Sequence, residues 1–588
     1  MTLPLRPGWH GRWDVVRATS RGSVVAALLI GAGAGVGAVA FRELISGVTR
    51  LLTGHEDYSV AGRSGNPHLP WLGGGLVLIL PVLAGLVYGP LVARFAPQAR
   101  GHGVPEVMYA VARKGGRIPA QVALVKALAS ALCIGAGGSV GREGPIVQIG
   151  SALGSTVGRV AKVPQARLRT LVACGAAAGI AATFNAPLAG VFFALELILG
   201  EFTADAFGLV VVSSVTASVI ARSILGDVPF LTLPPFGVHH VGEYGLYAVL
   251  GLLAALLGRA FVLVLYAIED GCDDLWGRTG LPEWLRPGAG GLLLGLVLLA
   301  FPQMYGVGYP VLSNAVGGRY AVGFLLLLVL GKALATSLTI GIGGSGGVFA
   351  PSLFLGATAG AAFGQTLHAL APGLVSQPGS YALIGMGAVF AAAGRAPITA
   401  VVILFELTGE YTIILPLMLA VVTATALSRV LSEDTVYTLK LRRRGIDLQG
   451  GGSPALEVAT SLIMQPLPTP LVCGTGLGET AARLSTHGAL PVVDEHGRYA
   501  GVVSLDALEA GALDDGLATA TAGSLARFPE VPQANDPLRR AMALLAHPDG
   551  AGGLPVIDTS GSPIGWLSHP DVVRHLVGSA PLTDAPAP

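Results

Sequence analysis

The sequence predicts an all-α polytopic membrane protein of tilted, broken helices, followed by a C-terminal cytoplasmic α/β pair. Three observations predict it. Of the 588 residues, 52% are hydrophobic and only 12% charged, with mean hydropathy +0.67, whereas a soluble chain carries about 25% charge. In the apolar region, a set of Lys, Gly, Pro and Glu positions recurs 206 to 210 residues on. In the polar tail, Leu490-Pro491-Val492-Val493-Asp494 recurs as Leu554-Pro555-Val556-Ile557-Asp558.

Residues 1–21 form a basic N-terminal segment with Arg12, Arg17 and Arg21. The first apolar run begins near Val24 and outlasts the core of a signal peptide, so no cleavable signal is expected. Apolar stretches then fill residues 22 to about 432. They do not divide into neat spans of about 20 residues. Gly and Pro interrupt several of them, as in Pro70 to Phe95 and Ile340 to Pro351. Irregular backbone at membrane depth is tolerated only where protein buries it or where it lines a cavity. Lys440, Arg442, Arg443 and Arg444 close the block. Basic residues at both ends place both termini in the cytoplasm and require an even number of crossings.

The membrane domain is therefore 22–445, with halves about 22–225 and 240–432. In the repeat, Lys126-Ala127-Leu128-Ala129 matches Lys332-Ala333-Leu334-Ala335. Gly137-Gly138-Ser139 matches Gly343-Gly344-Ser345, and Gly141 and Pro145 match Gly347 and Pro351. Asn185-Ala186-Pro187-Leu188, with Glu196, matches Arg395-Ala396-Pro397-Ile398, with Glu406. Duplicated halves with interrupted helices at matching places mark a transporter-type fold with its site at the repeat interface. Shared low complexity would not reproduce the Lys, Pro and Glu positions.

Residues 446–455, with Gly450-Gly451-Gly452-Ser453-Pro454, read as a linker. The tail repeat spans 456–578, in copies of about 456–512 and 518–578, and 579–588 trail behind. Each Leu-Pro-Val strand is followed by a turn and a second apolar run, Gly501 to Asp506 and Gly565 to Asp571.

Net charge of +1 gives no reason to expect a nucleic-acid partner. Cys133, Cys174, Cys272 and Cys473 are scattered, so neither a disulfide framework nor a zinc site follows. His239-His240 lie in a Pro-rich loop, Gly226 to Gly242, with too few ligands for a metal.

Gly141-Arg142-Glu143-Gly144-Pro145 places an Arg and a Glu inside apolar sequence. Ionisable groups at membrane depth are costly and mark an ion or proton path. If this element and Gly347–Pro351 each open a helix, both N-termini present unpaired N–H groups and positive dipole ends. Two such ends hold an anion without a buried cation. A carboxylate among those amides competes with the anion, which is the logic of a gate. The Tyr437 phenol adds one donor.

These motifs resemble the CLC family of chloride channels and proton-coupled anion exchangers, over residues from about 20 to 445. Gly101-His102-Gly103-Val104-Pro105-Glu106 is similar to the family's Gly-Ser-Gly-Ile-Pro-Glu. Gly141–Pro145 is identical to its second element, and Gly347-Val348-Phe349-Ala350-Pro351 matches its Gly-x-Phe-x-Pro. Tyr437 falls where the family has its pore tyrosine. The resemblance implies a CLC-type inverted repeat, a homodimer with one pore per subunit, and placement in the cell membrane. It implies that Glu143 is the gate. Amides around Arg142, Glu143, Gly144, Val348, Phe349 and Ala350, with His102, Gly103 and Tyr437, would hold chloride or a similar anion. Lys126 corresponds to a lysine near the path; an interior ion pair with Glu196 or Glu406 is the alternative.

Two departures matter. His102 replaces the family's serine. An imidazole donates one N–H when neutral and binds an anion more tightly when protonated; the alternative is that it turns aside and caps the helix. The exchangers have Glu-Glu where this chain has Glu196-Leu197. Leucine cannot carry a proton, so a channel or weakly coupled conduit is expected, with Glu201 a weaker substitute. Proton-coupled antiport by another route is the alternative.

The tail resembles a pair of CBS domains. Ser568-x-x-Asp571 matches the pattern that holds a nucleotide ribose there, with Ser504 and Asp506 in the first copy. An adenine nucleotide in the cleft and a purely structural dimerisation role both remain open. No other cofactor is required. A non-transporting membrane sensor would have no use for an amide-lined path, and no nucleophile–base pair, metal cluster or P-loop indicates an enzyme.

Overall fold

The structure is a computed structural model. It describes residues 20–61, 66, 70–226, 240–373, 375–446, 456, 458–511, 520–547 and 552–578. The N-terminal Arg12 and Arg17, His239, nearly all of the linker and the tail 579–588 lie outside the described residues. Two compact units divide after Leu448.

The first unit is helical and repeats. The first half runs through Ser20–Thr53, Leu76–Phe95, Val104–Arg113, Gln121–Gly135, Glu143–Val160, Gln165–Phe184, Pro187–Phe193 and Ala204–Leu225. The second runs through Glu243–Thr279, Arg286–Ala300, Tyr309–Val316, Val322–Gly341, Phe349–Leu370, Pro378–Gly394, Pro397–Thr408 and Ile414–Leu431. A short 3₁₀ turn follows the second helix in each half, Pro97–Ala99 and Pro302–Met304. The structure thus extends the repeat to a pair the matched sequence had not included, Gly101–Pro105 and Gly306-Val307-Gly308-Tyr309-Pro310. Among the described residues, seven helices are long and apolar enough to cross a membrane. The protein is a multi-pass membrane protein.

Local chemistry explains the breaks. Gln165–Phe184 ends at Asn185 and Pro378–Gly394 ends at Arg395, both left-handed with φ 58° and 54°. Asn tolerates that conformation; Arg rarely adopts it. Arg395 is held there by hydrogen bonds to the carbonyls of Ser428, Ser432 and Glu433. Pro187 and Pro397 then open the next helices, where a missing N–H costs nothing.

Two helices are enclosed over most of their length: every residue from Gly379 to Gly394 is buried, and so is every residue from Leu171 to Ala182. Their neighbours lie very close. A Cβ on Gly154 would stand 2.2 Å from the Leu171 carbonyl, and one on Gly360 2.2 Å from that of Tyr381. Small residues let membrane helices approach this closely.

The second unit is α/β. Strands β1 (Leu471–Val472), β2 (Ala489–Val493) and β3 (Tyr499–Ser504) form one sheet in that order, parallel then antiparallel. Strands β4 (Leu554–Ile557) and β5 (Pro563–Leu567) form an antiparallel pair. The copies exchange their leading segments. Gln465 pairs with Trp566 of the second copy, and Thr521 pairs with Gly476 of the first. Ala489, Val502 and Trp566 pack where the copies meet.

Candidate anion site and gate

Three glycine-rich segments are stitched together by backbone bonds. Gly141 N–H donates to the Gly347 carbonyl at 2.7 Å, and Gly347 N–H donates back to Gly141 at 2.5 Å. Gly101 N–H donates to Gly344, and Gly346 N–H to Gly101. The helices Val104–Arg113, Glu143–Val160 and Phe349–Leu370 open immediately after these junctions, capped by Gly103, Arg142 and Val348. Both expected helix starts are present. Their first-turn N–H groups, among them those of Gly144 and Ala350, have no intrahelical carbonyl to bond. The backbones nearly touch: a Cβ on Gly144 would stand 2.0 Å from the His102 carbonyl.

Glu143 is 1% exposed at the start of its helix. Its carboxylate faces the Ala350 backbone of the opposite half. Oε1 accepts a 2.5 Å hydrogen bond from the Tyr309 hydroxyl, while Oε2 has no hydrogen-bond partner among the described residues. A Cβ on Gly141 would lie 2.0 Å from Oε2, so glycine there makes the room the carboxylate occupies. The Arg142 guanidinium lies over the Tyr309 ring, 5.2 Å from its centroid. Arg42, Arg142, Arg222 and Tyr309 line a cavity of about 480 Å³ on this side. Phe349 packs against Phe184 and Phe390, at 5.5 and 4.4 Å between centroids.

His102 and Tyr437 are each 1% exposed, with ring centroids 6.4 Å apart. Neither ring nitrogen of His102 has a hydrogen-bond partner among the described residues. The imidazole does not cap the helix; Gly103, at φ 80°, occupies the cap. Tyr437 is held by its chain neighbours: Val436 N–H donates to Ala393, and Tyr266 donates to the Val436 carbonyl at 2.6 Å. Arg100, Tyr266, Glu269, Asp273, Lys440, Arg443 and Arg444 line a second cavity of about 280 Å³.

Lys126 is fully buried and donates to the carbonyls of Ala99 and Gly101 at 2.8 and 2.7 Å. The ion pair with Glu196 or Glu406 is not formed, because both carboxylates are engaged elsewhere. Glu196 accepts from the N–H groups of Ile398 and Thr399 and from the Thr399 hydroxyl. Glu406 accepts from the N–H groups of Leu188 and Ala189. Each half thus caps a helix of the other. Leu197 lies in a π-turn, Ala194–Leu199, and is 8% exposed. Glu201 is exposed beyond the Gly200 cap.

Sequence reasoning missed Tyr309, although the Gly-x-Gly-x-Pro pattern shared with Gly101–Pro105 could have found it. The sequence matched Lys332 to Lys126 but did not disclose its partners. Lys332 donates to Ser139 Oγ, Gly306 and Val307. Among the described residues no group of His, Cys, Asp or Glu could hold a metal.

In the tail, Ser568 donates its hydroxyl to Asp571 at 2.5 Å, and its N–H also donates to that carboxylate. In the first copy, the Ala507 N–H donates to Ser504 Oγ. With Ser504 in register with Ser568, Ala507 stands where Asp571 does, and Asp506 is exposed one residue earlier.

Comparison with known proteins bears on the family and the fold. A family model described as voltage gated chloride channel matches residues 84–429, and the CBS domain model matches 463–509 and 531–578. A putative chloride channel protein ClcB-like from Ralstonia nicotianae is 35% identical, covering 71% of this chain and 96% of that relative. An H(+)/Cl(-) exchange transporter ClcA from Vibrio cholerae is 37% identical over 60% of this chain and 76% of the relative. Among solved structures, a slow cyanobacterial Cl-/H+ antiporter is 28% identical, with TM-score 0.63, covering 72% of this chain and 97% of that one. A eukaryotic CLC transporter, 22% identical, shares the fold with TM-score 0.63 over 93% of this chain and 97% of its own.

Proposed function

The chain belongs to the voltage gated chloride channel family, and from that premise we propose that it carries chloride across the membrane on a path gated by Glu143. The observation that carries this reading is the place of the Glu143 carboxylate. It lies at the opening of its own helix, facing the Ala350 backbone of the other half. An anion would seek the same unpaired amides and the same dipole ends. Ionised, the carboxylate blocks that place; protonated or displaced by chloride, it leaves. Binding then comes from amides and from the His102 and Tyr437 side chains, strong enough to admit the ion and weak enough to release it.

Leu197 supports a channel or a weakly coupled conduit. No proton can rest on it, and it is buried where the resemblance puts the proton acceptor. A second reading, chloride/proton antiport by a route that bypasses position 197, is favoured by the names of the Vibrio relatives. We read the protein as a homodimer in the cell membrane with both termini in the cytoplasm. In the tail, Ser568 and Asp571 set a hydroxyl beside a carboxylate, which fits a ribose diol; Ala507 leaves the first copy without that carboxylate. An adenine nucleotide bound at the second copy would bias transport by favouring one conformation.

The test is the reversal potential of the purified protein in liposomes, under a chloride gradient with and without an opposing pH gradient. Reversal set by chloride alone supports the conduit. A shift with pH that Glu143→Ala abolishes supports the antiporter. No chloride current from either protein overturns transport.

A further inference from the structure

We propose that Tyr309 is the latch of the gate: its hydroxyl helps to hold the Glu143 carboxylate in the blocking position, and the gate cannot open without breaking that hydrogen bond. The inference rests on Glu143 being the gate and adds what keeps it shut.

The geometry is specific. Tyr309 opens the helix Tyr309–Val316 directly after Gly308, whose φ of 87° turns the chain sharply. That turn is pinned on both sides. Lys332 donates to the carbonyls of Gly306 and Val307, and the same ammonium donates to Ser139 Oγ. Ser139 lies in the segment that leads into Glu143. One buried cation therefore fixes the latch turn and the gate segment to each other, and the hydroxyl meets Oε1 at 2.5 Å. The Arg142 guanidinium stacked on the phenol ring restrains its rotation.

Tyr309 also lines the cavity of about 480 Å³ and the adjoining one of about 110 Å³. The phenol stands between solvent-sized space and the gate. In the repeat it occupies the place of Val104, which has no hydroxyl. The half that carries the gate is thus closed by a donor from the half that does not.

The charged and titratable groups acting on the Glu143–Tyr309 pair are few. Arg142 adjoins it, Arg42 lies across the cavity, and Lys332 and Tyr437 act on the carboxylate from the second half. Removing only the hydroxyl leaves these charges in the chain, although the phenol also bonds to the Arg142 side chain. A phenol donating to an ionised carboxylate favours the ionised, blocking form. Without it, the carboxylate takes its proton at higher pH and yields more readily to chloride.

Tyr309→Phe in the full-length protein tests this beside wild type and Glu143→Ala. Hydrogen bonds to charged groups shift such equilibria by roughly tenfold. Tyr309→Phe is expected to raise chloride flux in liposomes by about that factor. It should also tighten chloride binding measured by calorimetry in detergent, and move the pH of half-activation upward while keeping the pH dependence. Tyr309→Leu, also without the hydroxyl, should do the same. If Tyr309→Phe matches wild type while Glu143→Ala does not, the latch is overturned and the gate stands. If Glu143→Ala also matches wild type, the gate reading falls and the latch with it. If no variant passes measurable current, the transport reading falls and the latch with it; if current is present, chloride affinity unchanged in Tyr309→Phe overturns the latch.

Discussion

Gly141 and Gly347 occupy equivalent positions in the two halves and exchange both of their backbone hydrogen bonds. Related residues that bond to each other mark the point where a repeat folds onto itself. The Glu143–Val160 helix and the Phe349–Leu370 helix open within two residues of this junction. Their positive ends are therefore directed from both halves towards one small region, an arrangement that suits an anion without a full cation beside it.

The same exchange recurs with Glu196 and Glu406, and it makes a stability prediction. Each carboxylate accepts two N–H groups at the start of the other half's helix. Such caps use the positive helix end and cost about 1–3 kcal/mol to remove where partly buried. Glu196→Ala and Glu406→Ala should both lower the thermal unfolding midpoint of the detergent-solubilised protein, and by similar amounts. A Glu196→Ala protein with wild-type stability and an altered pH effect on reversal would show that Glu196 handles protons rather than caps a helix.

In the tail, Asp494 and Asp558 hold equivalent turns. Asp494 accepts from the N–H groups of His496 and Arg498, and Asp558 from Ser560 and Ser562. The Arg498 amide and the Ser560 hydroxyl hold the two carboxyls below their ordinary 3.8. A carboxyl lowered on folding contributes stability in full above its unfolded value and loses it as pH falls through the folded one. Acid unfolding of the tail, followed by circular dichroism, should therefore steepen below about pH 3.8. Asp494→Ala and Asp558→Ala should each flatten that dependence and lower stability at neutral pH.

Much of this was legible as periodicity. The Lys126/Lys332 and Gly141/Gly347 matches disclosed the duplicated membrane domain because each half must solve the same packing problem. The Leu-Pro-Val repeat disclosed the tail in the same way. What stayed hidden depends on partners distant in sequence. Glu196 and Glu406 were visible as a matched pair, but their targets lie about 200 residues away across the repeat. Tyr309 had no local signal beyond a Gly-x-Gly-x-Pro turn, since nothing near it in sequence is acidic. The exchange of leading segments in the tail was hidden because strand pairing is decided by the folded sheet edges.

Leu197 carries a prediction about coupling. It is buried in a π-turn one residue after a carboxylate already committed to Ile398 and Thr399. Glu196 therefore cannot take over without giving up its cap. Leu197→Glu supplies a free acid at that place, at a burial cost of about 1–3 kcal/mol. The expected result is a reversal potential that moves further with an imposed pH gradient than in wild type. An unchanged reversal potential in a folded, conducting variant would mean that protons do not use this position.

His102 carries the last. Its ring is buried beside Tyr437, and neither nitrogen has a hydrogen-bond partner among the described residues. A buried polar atom without a partner is costly, and an anion or pore water would relieve that cost. A neutral imidazole offers one donor, while the protonated ring adds a positive charge. Chloride affinity should therefore rise as pH falls through the imidazole titration. The effect is measured by calorimetry in a Glu143→Gln background, where that side chain no longer titrates. One elementary charge facing the ion should be worth roughly tenfold in affinity. His102→Ser keeps a single donor and removes the charge, so its affinity should be flat with pH and near that of wild type at neutral pH. Equal pH slopes in the two proteins would place the imidazole out of contact with the ion, and the unpartnered nitrogens would then face water alone.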